Sequence, residues 1–124
     1  MPIVLRCLYR PGGAEARFHI RDVHLEYMIR HRHLLNTGGA LMASDGLTVM
    51  GMFLILECED RGSAEAFLAD EPYTRAGLFE SQTIEMLDRF VPHQDPEFLQ
   101  KLLVAARQWV INQGGPIGIP KVGK

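Results

Sequence analysis

The sequence is poor in the features that mark the best-known function classes. Its 124 residues hold only two cysteines, Cys7 and Cys58, and both fall in segments that read as strands. Two buried free thiols fit a reducing compartment better than a disulfide framework. Histidine, cysteine and acid pairs at the short spacing of a metal site are missing, so no metal is expected. No apolar run approaches the ~20 residues needed to cross a bilayer. No leader-peptide pattern follows the short apolar start, which Arg6 interrupts, and the expected location is the cytoplasm. Charge of one sign is also lacking. The net charge is −2 with the signs scattered, which argues against nucleic acid or a membrane surface as partner. There is no nucleophile-elbow setting for Ser44 or Ser81, no phosphate-cradling loop and no dinucleotide fingerprint.

What is present is an ordinary globular composition, 47% apolar and 23% charged, at the size of one domain. Residues 2–9 read as a strand with Ile3, Leu5, Cys7 and Tyr9 on one face and Val4, Arg6 and Leu8 on the other. Arg10-Pro11-Gly12-Gly13 is a turn signal. A helix is expected from within 14–20 to Asn36, with Leu25, Met28, Ile29, Arg32 and Leu35 as its apolar stripe and Asn36-Thr37-Gly38-Gly39 as its close. Residues 40–44 and 48–59 read as a hairpin around Asp45-Gly46. Its second strand is apolar on both faces, so one face calls for a second layer that a chain this short supplies most easily by pairing with a copy of itself.

After a turn at 60–63, with Ser63 as the expected N-cap, comes a short helix through Phe67 and Leu68, and a last strand lies within 80–90. The order is βαββαβ, a ferredoxin-like α+β arrangement with an antiparallel sheet. Asp95-Pro96 predicts the start of a further helix. Its stripe of Phe98, Leu99, Leu102, Leu103, Ala106, Trp109 and Val110 reaches about Asn112, and a Gly- and Pro-rich tail follows. The chain thus divides into 1–92 and a segment 93–124 expected to pack on that domain or across a dimer.

The stretch with most chemical content is Asp70-Glu71-Pro72-Tyr73-Thr74-Arg75-Ala76-Gly77-Leu78-Phe79-Glu80. Proline biases Glu71 away from helical geometry and ends the preceding helix. Gly77 allows the chain to swing into the next strand. The segment is therefore a shaped connection that holds a carboxylate in place. Of the five histidines, His24 stands at the edge of the first helix's apolar stripe. An acid from the 70–72 turn would fix its tautomer and make the minimal general-base unit. His31 and His33 point to different sides of a helix, and His24 and His31 stand roughly 10 Å apart, too far for one ion.

The run Phe67-Leu68-Ala69-Asp70-Glu71-Pro72-Tyr73-Thr74-Arg75-Ala76-Gly77-Leu78-Phe79-Glu80 resembles the signature of the YciI-like (YCII-related) family. Arg21-Asp22-Val23-His24-Leu25-Glu26-Tyr27-Met28 resembles the family's first helix, and Gly51-Met52-Phe53-Leu54-Ile55-Leu56-Glu57 its central strand. The likeness covers about 2–90. It implies a dimeric α+β barrel of ferredoxin-like subunits, with a site between sheet and helices centred on a His–Asp pair. His24 matches the histidine. The family's aspartate, directly before proline, falls on Glu71, with Asp70 one residue early. The Ser44-Asp45-Gly46 turn departs from the Gly-Pro and longer loop of many relatives.

Two functions are carried forward. The first is a cofactor-free lyase or isomerase acting on a small aromatic or quinone-like molecule; one branch of the family resembles a dehydrochlorinase. In it His24 is the base, Glu71 or Asp70 its acid partner, and Tyr73, Arg75 and Ser44 the candidate ligand contacts. The second is a non-catalytic dimeric module that binds a small metabolite or assists another enzyme. A homodimer or higher homo-oligomer is expected in both.

Overall fold

The computed structural model describes residues 1–115. They form two compact units divided between Asp88 and Arg89. The first opens with strand β1 (Ile3–Tyr9), a single helical turn α1 (Gly13–Ala16) and a 3-10 turn (Arg17–His19). Helix α2 (Arg21–Arg30) and a second 3-10 turn (Arg32–Leu34) lead into the hairpin of β2 (Leu35–Met42) and β3 (Val49–Leu56). Helix α3 (Arg61–Asp70), the one-turn helix α4 (Pro72–Arg75) and strand β4 (Phe79–Met86) complete it.

The strands lie in the order β2-β3-β1-β4, all neighbours antiparallel. This is the ferredoxin-like sheet, with β1 and β3 in the middle. The alternation along β1 decides its faces: Ile3, Leu5 and Cys7 are fully buried, while Arg6 between them is exposed. Register carries this inner face across the sheet, pairing Ile3 with Leu56, Leu5 with Leu54 and Cys7 with Met52. Tyr27 of α2 and Ala64, Phe67 and Leu68 of α3 close the core over it. Both thiols, Cys7 and Cys58, are buried and unpaired. Burial first, and then Glu71, pushes the Cys7 thiol up to about 12, which disfavours the thiolate form at neutral pH.

Four local expectations need correction. The first helix stops at Arg30, and Asn36–Gly39 is strand, not a helix cap. A glycine pair after an apolar stripe imitates a helix end, but pairing with β3 supplies what local propensity lacks. The inward face of α2 is also not the aliphatic stripe: Leu25 and Ile29 are exposed, and His24 and Tyr27 are buried instead. Those two ring residues can go inside because each has a polar partner there; the Tyr27 hydroxyl donates to the Phe67 carbonyl at 2.7 Å. The N-cap of α3 is Asp60, whose carboxylate accepts from the Ser63 N–H at 2.7 Å. The last strand runs over Phe79–Met86, starting one residue before the expected 80–90 and ending four residues short of its close.

In the second unit, helix α5 (Phe98–Asn112) begins three residues after Asp95. The Asp95 carboxylate accepts from the Glu97 N–H at 2.9 Å and from the Lys101 ammonium at 2.6 Å, making a turn ahead of the helix. Gly114 and Gly115, both at positive φ, end it, with the Gly115 N–H returning to the Val110 carbonyl at 2.9 Å. The tail from Pro116 lies outside the described residues. Among the described residues no helix is long and apolar enough to cross a membrane.

Candidate active site

The site is built at the joint between α3 and α4. Proline at 72 removes a backbone donor and holds Glu71 in extended geometry, φ −64° and ψ 130°, so α3 ends at Asp70. Glu71 then serves as the N-cap of α4: its Oε2 accepts the Thr74 N–H at 3.1 Å. Its Oε1 accepts from Nδ1 of His24. An ionised carboxylate only accepts, so Nδ1 carries the proton and Nε2 is the nitrogen left to meet a ligand. Glu71 has no exposure at all and His24 is 9% exposed. A carboxylate this deep is tolerable only because both oxygens are satisfied.

Tyr73, the second residue of α4, lays its ring flat on the imidazole, with centroids 3.9 Å apart and planes 6° from parallel. The ring plane of His24 is thus fixed from one side by stacking and from one edge by the acid. Tyr9 meets Tyr73 edge-on at 6.2 Å and stacks on Phe79 at 5.0 Å. Burial pushes the Tyr9 phenol up to about 12, with Tyr73 adding to the effect. Burial raises the Tyr73 phenol as well, while Arg17 and Arg21 pull it back down. Both phenols therefore keep their protons at neutral pH and can donate hydrogen bonds. Gly77, at φ +68°, turns the chain out of α4, and the Leu78 N–H closes on the Tyr73 carbonyl at 3.1 Å.

His24, Tyr73 and Tyr9 look into a cleft of about 290 Å³ between α2 and the β2–β3 hairpin. Its walls include Arg17, Arg21 and Met28, and its lining includes Gly38 and Ala40 of β2. This is the size of a small ring compound, and apolar walls with a few convergent polar groups are typical of ligand pockets.

Of the residues singled out in the sequence, the structure brings His24, Glu71 and Tyr73 together. It does not bring Asp70, Arg75 or Ser44 to them. Asp70 and Arg75 are exposed and line a separate surface depression with Arg30 and Tyr27. Asp70 is the last residue of α3, and one step along the chain turns its side chain away from the joint that Glu71 faces. Ser44 is exposed in the hairpin turn. Sequence reasoning missed Tyr9, Arg17 and Arg21. Arg17 reaches the cleft from the 3-10 turn before α2 and Arg21 from the first position of α2, and no spacing rule for a regular helix signals that placement.

The model of the YCII-related domain matches residues 1–88. Comparison with curated proteins finds no match. Among solved structures, the chain is similar to TftG, the 5-chloro-2-hydroxyhydroquinone dehydrochlorinase of Burkholderia phenoliruptrix in complex with 2,5-dihydroxybenzoquinone. The identity is 27% and the TM-score 0.65, over 72% of this chain and 95% of that one. SnoaB, a cofactor-independent oxygenase from Streptomyces nogalater, aligns over 74% of this chain and 96% of its own, at 14% identity and a TM-score of 0.47. That likeness is too distant to bear on the site.

Proposed function

Because the chain belongs to the YCII-related domain family, we propose that it is a cofactor-free enzyme of lyase or isomerase type whose base is His24. The observation that carries this reading is the buried His24–Glu71 pair opening on a small cleft. A ligand C–H or O–H proton passes to Nε2. The electron pair left behind moves into the ligand's unsaturated system. It then either expels a leaving group, as in loss of chloride, or takes a proton back from the imidazolium at a neighbouring atom. Glu71 stabilises the imidazolium through Nδ1–H, and the Tyr73 stack keeps the ring aimed. The Tyr9 and Tyr73 phenols, held neutral, donate to oxygens of the ligand. The dehydrochlorinase likeness favours a hydroxylated, quinone-like ring as substrate.

The test has two parts. Chlorinated hydroxyhydroquinones and related enolisable rings are offered to the protein, and chloride release and absorbance are followed. Binding of 2,5-dihydroxybenzoquinone is measured by titration. Turnover is expected for the native chain and should fall about 10²- to 10⁴-fold in His24→Gln, the usual range for a lost general base. Unchanged turnover in that variant would remove the mechanism. Binding without turnover of any candidate would leave the protein a binding module.

We further propose a homodimer through the outer face of the sheet. Register places Val4, Leu8, Leu41, Phe53 and Ile55 there, all only partly buried in the single chain. An apolar sheet face of this kind calls for a cover. For the segment 93–124, with the apolar stripe of α5, the proposal is packing on the same domain or across the dimer. Sedimentation at twice the chain mass is the expected result, and a monomer at micromolar concentration would refute it.

A further inference from the structure

The chain carries more acidic than basic residues, 15 against 13. The cleft reverses that balance. Among the described residues no aspartate or glutamate lines it, while Arg17 and Arg21 do. Glu71, the acid behind His24, is sealed there and spent on two hydrogen bonds. Neither arginine has a carboxylate partner among the described residues. Arg17 is instead held in place by other means: it donates to the Ala14 carbonyl, and its guanidinium lies over the rings of Phe18 at 4.3 Å and Tyr9 at 5.9 Å. A guanidinium fixed by stacking and a backbone carbonyl is pre-organised and still has N–H groups to offer.

We propose that Arg17 and Arg21 form an anion-recognition pair and that the ligand enters the cleft already ionised, as an enolate, phenolate or carboxylate-like oxyanion on a small flat ring. This rests on the reading of the cleft as the ligand site and names the class of ligand it selects. Two cations at the cleft, with no acid in its lining to oppose them, attract an anion from solution and orient it there. The anion's charge is then balanced before any proton moves. Proton removal by a neutral imidazole from an already anionic ring would otherwise build up a second negative charge with nothing to face it.

The experiment compares two probes that differ in charge and little in shape. The hydroxyls of dihydroxybenzoquinone are vinylogous carboxylic acids and are ionised at neutral pH; its dimethyl ether cannot ionise. Calorimetric titration of the full chain should give tighter binding of the ionised probe. Arg21→Gln, at an exposed position, should weaken that probe about tenfold or more, the usual worth of a lost charge-assisted bond. It should leave the ether unchanged, and Arg21→Lys should restore part of the loss. Arg17→Gln should act in the same direction, and its melting temperature reports whether the Tyr9 and Phe18 contacts survive. Equal affinity for both probes, or no change in Arg21→Gln, would overturn the arginine pair while leaving His24 as base intact. No binding of either probe to the native chain would overturn the cleft reading and the pair together.

Discussion

The inner face of the sheet has two halves that do opposite things with the same strands. Under α3 it is filled: Ile3 and Leu56 have no exposure, and Ala64, Phe67 and Leu68 close over them. Under α2 it is left open: the facing positions of β2 are Gly38 and Ala40, and the helix turns His24 and Arg21 toward the gap. The first half spends its side chains on density and the second withholds them. A fold of this size can carry a cleft because α3 does most of the packing and α2 shares in it through Tyr27 and Met28. The two are joined by the Tyr27 hydroxyl on the Phe67 carbonyl, so the open half borrows its rigidity from the closed one.

The comparison breaks most visibly in the closed half. Phe67→Ala should cost about 3–5 kcal/mol of stability, as for a large aromatic removed from a packed core. Chemical denaturation would show it, and a loss under 1 kcal/mol would mean that α3 is not the packing helix. The open half should behave the other way. Ala40→Leu puts volume into the cleft and should weaken dihydroxybenzoquinone binding more than about tenfold with little change in melting temperature. A large fall in stability would show that the gap is part of the core.

The smallest effect lies outside both halves, in the hairpin turn. Asp45 accepts from the Thr48 N–H and hydroxyl and from the Leu47 N–H at 2.7 to 2.9 Å, which holds its carboxyl down at about 2. A depressed folded-state value contributes stability above the ordinary carboxylate value of ~3.9 and loses it as pH falls toward 2. Asp45→Ala should therefore melt slightly below the native chain at neutral pH, and the gap should close between about pH 4 and pH 2. A gap that persists in acid would assign the difference to the turn's backbone.

Much of the closed half was legible in the sequence. Strict alternation in 2–9, the Asp-Gly hairpin and the order of elements follow from period and turn chemistry, and these suffice for the ferredoxin-like sheet. The open half was harder for the same reason that it is open. Gly38 and Gly39 lack side chains to signal a strand, so β2 read as the end of a helix. Helix α2 buries polar rings, so its aliphatic residues pointed to the wrong face. The meeting of His24 with the acid ahead of Pro72 was legible because proline fixes where α3 stops. Which of two adjacent acids faces inward was not, since that depends on the cap geometry of a helix one turn long.

The double engagement of Glu71 has one more implication. With one oxygen committed to an imidazole and the other to the main chain, and no surface exposed, the acid has no route to water of its own. It cannot relay anything onward. The pair is a single-berth store: whatever hydrogen ion His24 accepts must leave by the mouth through which it came, either back onto the departing molecule or out to solvent. Such a centre suits a reaction that closes its own ledger within each visit and is ill suited to one that must conduct ions through the protein.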